Sequence, residues 1–170
     1  AKWIYSLYYV PIDNIEKQIF GEVCEHGHFR LAKWLYSLGK FNIYYSKINI
    51  HYDNCYAIIN SIENGFYKQS KWLYSLDNID IHLYDIKIYH AACESGNVEL
   101  VSWVYSIDDV DINITNKLFR YSCVNGSIGI SKYLYLNHNM SLTINDNYIF
   151  KMVCNIGDIR MAKWICDVEE

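Results

Sequence analysis

Apolar and polar positions follow one another along this chain in a pattern that recurs. Leu35, Leu73, Val104, Leu134 and Ile165 each stand eight residues after a glycine (Gly27, Gly65, Gly96, Gly126 and Gly157), and Tyr36, Tyr74, Tyr105, Tyr135 and Cys166 come directly after them. One place earlier, Trp34, Trp72, Trp103, Tyr133 and Trp164 form a third column. Polar side chains gather three, six and ten residues past the glycine, as at Arg30, Lys33 and Ser37. At about 100° per residue these three positions span only about 60° of a helix circumference, which leaves most of the rest apolar. Such a helix needs cover on several sides. The glycines are spaced 38, 31, 30 and 31 residues apart, so the cover comes from neighbouring units of a tandem array in which no unit folds alone.

Each unit reads as two helices around its glycine. In the Gly96 unit the first helix runs from Ile86 to Glu94, and the glycine ends it because it enters the left-handed region without a Cβ penalty. The expected N-caps of the first helices lie eleven residues before the glycine, at Asn54, Asp85, Thr115 and Asp146, with Glu16 as the exception. Asn97, Ser127 and Asp158 are suited to cap the second helices; His28 and Phe66 are weaker caps. An apolar residue between two mostly polar ones then recurs: Pro11-Ile12-Asp13, Asn42-Ile43-Tyr44, Asp80-Ile81-His82, Asp111-Ile112-Asn113 and Ser141-Leu142-Thr143. These tripeptides read as short extended segments before a turn. The longest unit contains the motif twice, at Asn42-Ile43-Tyr44-Tyr45 and Asn49-Ile50-His51-Tyr52, which places its extra residues in a surface loop. The expected organisation is a single array over 1–170, with a partial repeat 1–13 and repeats at about 14–44, 45–82, 83–113, 114–143 and 144–170. The fold class is all-α, helix-turn-helix units joined by extended links.

Composition narrows the function. Apolar residues make up 52% of the chain and charged ones 20%, enough to bury and too little charge for disorder. The net charge of −4 is interspersed, which argues against nucleic acid as a partner. No apolar run reaches the roughly 18 residues of a membrane span and no targeting segment is visible, so an intracellular protein with no membrane partner is expected. The chain opens without methionine inside a repeat and stops inside another, and is expected to be part of a longer protein whose uncovered ends self-associate weakly. Cys24, Cys93, Cys123 and Cys154 all fall three residues before the glycine; stacked at about 8–10 Å they are too far apart for disulfides and read as small buried thiols. Cys55 and Cys166 fit no cysteine column.

Candidate chemistry is sparse. Lys2, Lys33, Lys71, Lys132 and Lys163 form a column that reads as a solvated face in preference to an anion-binding ridge. The tryptophan and tyrosine columns share the phase of the leucine column, so they read as inter-repeat core and not as a base-stacking platform. Cys24-Glu25-His26-Gly27-His28 is the one dense group of metal-capable residues, but a second ligand pair is not near it in sequence. Neither a nucleophile-base order nor a nucleotide-binding glycine motif is present. No metal, cofactor or catalysis is expected.

Ala92-Cys93-Glu94-Ser95-Gly96-Asn97-Val98-Glu99-Leu100-Val101, followed by Asp111-Ile112-Asn113, resembles the ankyrin repeat, and Gly27-His28 is similar to that family's Gly-His step. Lys-Trp-Leu-Tyr-Ser at 33–37 and 71–75 resembles the divergent ankyrin repeats of giant amoeba-infecting DNA viruses. The family's Thr-Pro-Leu-His opening survives only as His90. The resemblance implies a solenoid with short hairpins between repeats, acting as a non-catalytic protein-binding scaffold in an infected host cell, with the host cytoplasm or the virion as its place. It also implies that the partner lies on the concave face, at the end of each first helix and at the loop tips. Here those positions are Glu25, His26, Glu63, Asn64, Glu94, Ser95, Val124, Asn125, Asn155 and Ile156, with Tyr52, Asp53, Tyr84 and Asp85 at the tips. Glu25, Glu63 and Glu94 would make an acidic stripe suited to a basic protein partner. The substrate-recruiting arm of a ubiquitin-ligase adaptor, and a virion spacer without a specific partner, are the two rival roles.

Overall fold

A computed structural model describes the backbone of residues 15–41, 52–76, 85–107, 110–138, 140, 142 and 148–169, and side chains over 19–38, 55–76, 86–107, 110–138, 140, 142 and 148–168. The described residues hold ten helices and no strand. They are α1 (Ile15–Glu25), α2 (Phe29–Phe41), α3 (Tyr52–Glu63), α4 (Tyr67–Leu76), α5 (Asp85–Glu94), α6 (Val98–Tyr105), α7 (Ile112–Val124), α8 (Ile128–Asn137), α9 (Tyr148–Ile156) and α10 (Ile159–Glu169). No helix among the described residues is long and apolar enough to cross a membrane.

The five repeat glycines all take positive φ, between 68° at Gly27 and Gly96 and 82° at Gly157. At Gly27 the chain closes α1 with two bonds: its N–H donates to the Cys24 carbonyl at 3.1 Å, and the His28 N–H reaches back to Val23 at 3.0 Å. Gly126 and Gly157 repeat both bonds with Cys123 and Ser122, and with Cys154 and Val153. This double closure satisfies the orphan carbonyls at the end of a helix and needs a residue at ease in the left-handed region. The second helix then starts within two residues. Asn97 Oδ1 caps α6 by accepting from Leu100 N at 3.1 Å, and Asp158 Oδ1 caps α10 by accepting from Arg160 N and Met161 N. Ser127 makes no side-chain cap bond to α8.

Two compact units hold the chain, one made of Ala1–Ser61 and Lys68–Ile79, the other of Ile62–Tyr67 and Asp80–Glu170. In the first, α1 lies on α2, and Trp72 of α4 meets Phe29 and Tyr36 of α2 edge-on, with ring centroids 5.5 and 5.8 Å away. The buried Gln69 ties three helices together, donating from Nε2 to the Cys24 carbonyl at 2.6 Å and to Ser61 Oγ at 2.8 Å. In the second unit α5 lies on α6, α7 on α8 and α9 on α10; the first helices α5, α7 and α9 contact one another in that order, and α6 contacts α8. Tyr105 on α6 meets Tyr133 on α8, and Tyr135 on α8 meets Trp164 on α10. The aromatic columns thus join successive hairpins within each unit, although Trp34, Trp72 and Trp103 stay half-buried. Leu73, Val104 and Leu134 are sealed completely.

Three expectations are corrected. Asp85 is the first residue of α5 and Asp146 lies outside the described residues, but the cap of α7 does not sit eleven residues before its glycine: Asp111, fifteen before, caps it by accepting from Asn113 N at 2.6 Å, while Thr115 is buried in the first turn with its hydroxyl on the Asp111 carbonyl. Asn54 likewise lies inside α3. Asp111-Ile112-Asn113 is therefore not an extended segment, because its aspartate has become a cap and Ile112 opens the helix; 11–13, 42–44 and 80–82 lie outside the described residues, as do Ser141 and Thr143. Cys154, unlike Cys24, Cys93 and Cys123, is exposed, since no further described first helix covers α9.

Candidate surface on the first helices

Helical geometry gives each first helix one solvent face. Positions nine, six and two before the glycine fall within about 60° of one another. In the second unit they hold Lys87, His90 and Glu94 on α5, Lys117, Arg120 and Val124 on α7, and Tyr148, Lys151 and Asn155 on α9, all exposed or half-buried. Between them the positions eight and four before the glycine, Ile88 and Ala92, Leu118 and Ser122, Ile149 and Val153, are buried. The face thus carries four fixed cations, Lys87, Lys117, Arg120 and Lys151, against the single carboxylate of Glu94. Among the described residues none of the four cations is in an ion pair.

Glu94 is engaged from two sides. The Tyr121 phenol on α7 donates to Oε1 at 2.7 Å, and His90 Nδ1 stands 3.5 Å from Oε2. The Tyr121 ring lies over His90 with centroids 4.3 Å apart. This bond to Glu94, with burial and the carboxylate charge behind it, pushes the Tyr121 phenol up to about 12, so it stays a donor at neutral pH. The first unit builds the same latch from another register. Tyr56 on α3 donates to Glu25 Oε2 and lies against Gly21, where an added Cβ would come within 2.8 Å of the ring. Gly21 and His90 both stand six residues before their glycine, and Glu25 and Glu94 both stand two before, yet Tyr56 and Tyr121 reach them from positions nine and five before their own.

Of the residues expected to meet a partner, His26, Glu63, Asn64, Glu94, Asn125, Asn155 and Ile156 are exposed, and Glu25, Ser95 and Val124 are half-buried. Tyr84 lies outside the described residues, as do the side chains of Tyr52, Asp53 and Asp85. Ser95 turns inward, donating to the Ala92 carbonyl at 2.6 Å and accepting from Asn97 N at 3.1 Å. Glu25 belongs to the first unit, Glu63 and Glu94 to the second. For Glu63 the following first helix offers Lys87 and Ala91 at the two places from which the tyrosines reach. Sequence reasoning singled out the glutamates and passed over Tyr56, Tyr121 and the cations at 87, 117, 120 and 151. The signal was present, since the latter recur in the columns nine and six before the glycine.

Other candidates point elsewhere. Cys24 is sealed, with burial pushing its thiol up to about 12, whereas His26 and His28 are exposed, so the three side chains do not converge. Among the described residues no group of three metal-capable side chains forms. Lys33, in the lysine column, sits over the Phe29 ring at 4.2 Å. The depression at Gly27–Leu31 is open to solvent, and among the described residues its walls come from the glycine turn and the start of α2.

No model of a known protein family matches the chain, nor does any curated protein.

Proposed function

We propose that the chain is an ankyrin-type repeat array that works as a non-catalytic scaffold for a protein partner, held by the ends and solvent faces of its first helices. The observation that carries this reading is a division of labour by column. Positions that hold the hairpins together are buried and nearly constant in type (Leu73, Val104 and Leu134; Cys24, Cys93 and Cys123), while the solvent column at the end of the first helices changes from unit to unit: Glu94, Val124, Asn155. A surface that varies on a constant frame is how repeat proteins distinguish partners. The resemblance to viral ankyrin repeats favours a role in engaging host or viral proteins inside an infected cell.

Crosslinking capture with this chain as bait tests the reading. The expected result is one stoichiometric protein whose crosslinks map to residues within the first helices and their glycine turns. Crosslinks scattered over the second helices, or no stoichiometric protein, would contradict it.

A further inference from the structure

We infer that the first-helix face of the second unit is a docking track for an acidic peptide segment in extended, polyproline-type conformation, an inference that rests on the scaffold reading above. The occupant follows from sign and spacing. His90, Arg120 and Lys151 stand at the same position on α5, α7 and α9, helices that contact one another in sequence, with Lys87 and Lys117 alongside on the first two. Neighbouring packed helices lie about 8–10 Å apart. A polyproline-type chain advances about 3.1 Å per residue with three residues per turn, so every third side chain leaves on the same side after about 9 Å. An acidic residue at every third position can therefore meet Lys87 on α5, Lys117 or Arg120 on α7 and Lys151 on α9. The one carboxylate of the face, Glu94, accepts from Tyr121 and has His90 beside it, and it stands against four cations. A nucleic-acid strand fits worse. The chain as a whole carries −4, which repels a polyanionic backbone at long range.

The test uses the whole chain and labelled peptides of about nine residues read by fluorescence polarisation. One has glutamates at every third position in a proline- and serine-containing background; its isomer has the same glutamates in a run. The spaced peptide is expected to bind about tenfold tighter than the clustered one, and Lys117→Glu/Arg120→Glu to weaken it at least about tenfold at about 50 mM salt, with the difference collapsing near 0.5 M. Lys117→Gln/Arg120→Gln should fall between, and Lys132→Glu on α8 should leave binding unchanged, which separates the track from net charge. Equal binding of the two isomers, tighter binding of a thymidine oligonucleotide, no binding of the spaced peptide, or an unaffected charge-reversed variant would each overturn the proposal. A captured protein partner that still binds that variant would end this inference and leave the scaffold reading standing.

Discussion

Tyr121 on α7 donates its phenol hydrogen to Glu94 on α5 across 2.7 Å, and so joins two first helices on the face turned to solvent. The bond holds only while the phenol is protonated. Tyr121→Phe should lower stability by about 0.5–1 kcal/mol in urea unfolding, since a net hydrogen bond is worth that much and this one is partly wet. A phenol whose pKa is raised in the folded state contributes stability that is whole below its unfolded value of 10.0 and is lost as the pH climbs toward about 12. The gap between wild type and Tyr121→Phe should therefore close over that range; a gap that stays constant would mean the hydroxyl is not on the carboxylate.

Gly96 isolates the cost of the turn. Nothing lies within 4 Å of where its Cβ would stand, yet its φ is 68°. Gly96→Ala should thus cost about 1–2 kcal/mol by backbone strain alone, and Gly96→Asn less, because asparagine tolerates the left-handed region. Thermal unfolding of the two variants decides it, and an alanine as stable as glycine would contradict the left-handed backbone at Gly96.

Six cysteines report on burial. Cys24, Cys55, Cys93 and Cys123 are buried, and burial pushes the thiols of Cys24 and Cys93 up to about 12 and that of Cys123 up to about 11; Cys154 and Cys166 are exposed. A thiol reagent at neutral pH should modify two cysteines quickly and the remaining four only on unfolding, with peptide mapping placing the fast pair at 154 and 166. Fast modification of Cys93 would show that α5 is not covered as described.

His138 gives a pH dependence of opposite sign to that of Tyr121. It closes α8 with its ring 4.8 Å from that of Tyr105, and its Nε2 is buried without a partner among the described residues. Burial lowers its pKa, so the folded state prefers the neutral ring. Its stabilising effect is present above the unfolded value of 6.5 and declines as the pH falls below it. Stability measured from pH 7 to pH 5 should fall less steeply in His138→Phe than in the wild type.

The helices and their order were legible because burial follows a period that glycine punctuates: the column that begins at Leu35 could be read without coordinates, as could the burial of Cys24, Cys93 and Cys123. What the sequence hid was register at the front of each first helix. Asp111 and Thr115 are both good caps by type, and only the backbone decides that Asp111 caps while Thr115 turns inward to bond it. The cross-helix latches were hidden for a related reason. Tyr56 and Tyr121 do the same job from positions four residues apart in their units, so no single column displays them. The cations of the second unit were visible as letters, but against a net charge of −4 their gathering on one face emerges only when α5, α7 and α9 are set side by side.

Deuterium exchange of the chain alone and in complex with its captured protein partner tests most directly whether the first helices carry recognition. Slowed exchange is expected through Glu94–Gly96, Val124–Gly126 and Asn155–Gly157, with Val98–Tyr105 and Ile128–Asn137 unchanged. Protection confined to those second helices, with the turns of the first exchanging as freely as before, would contradict the account.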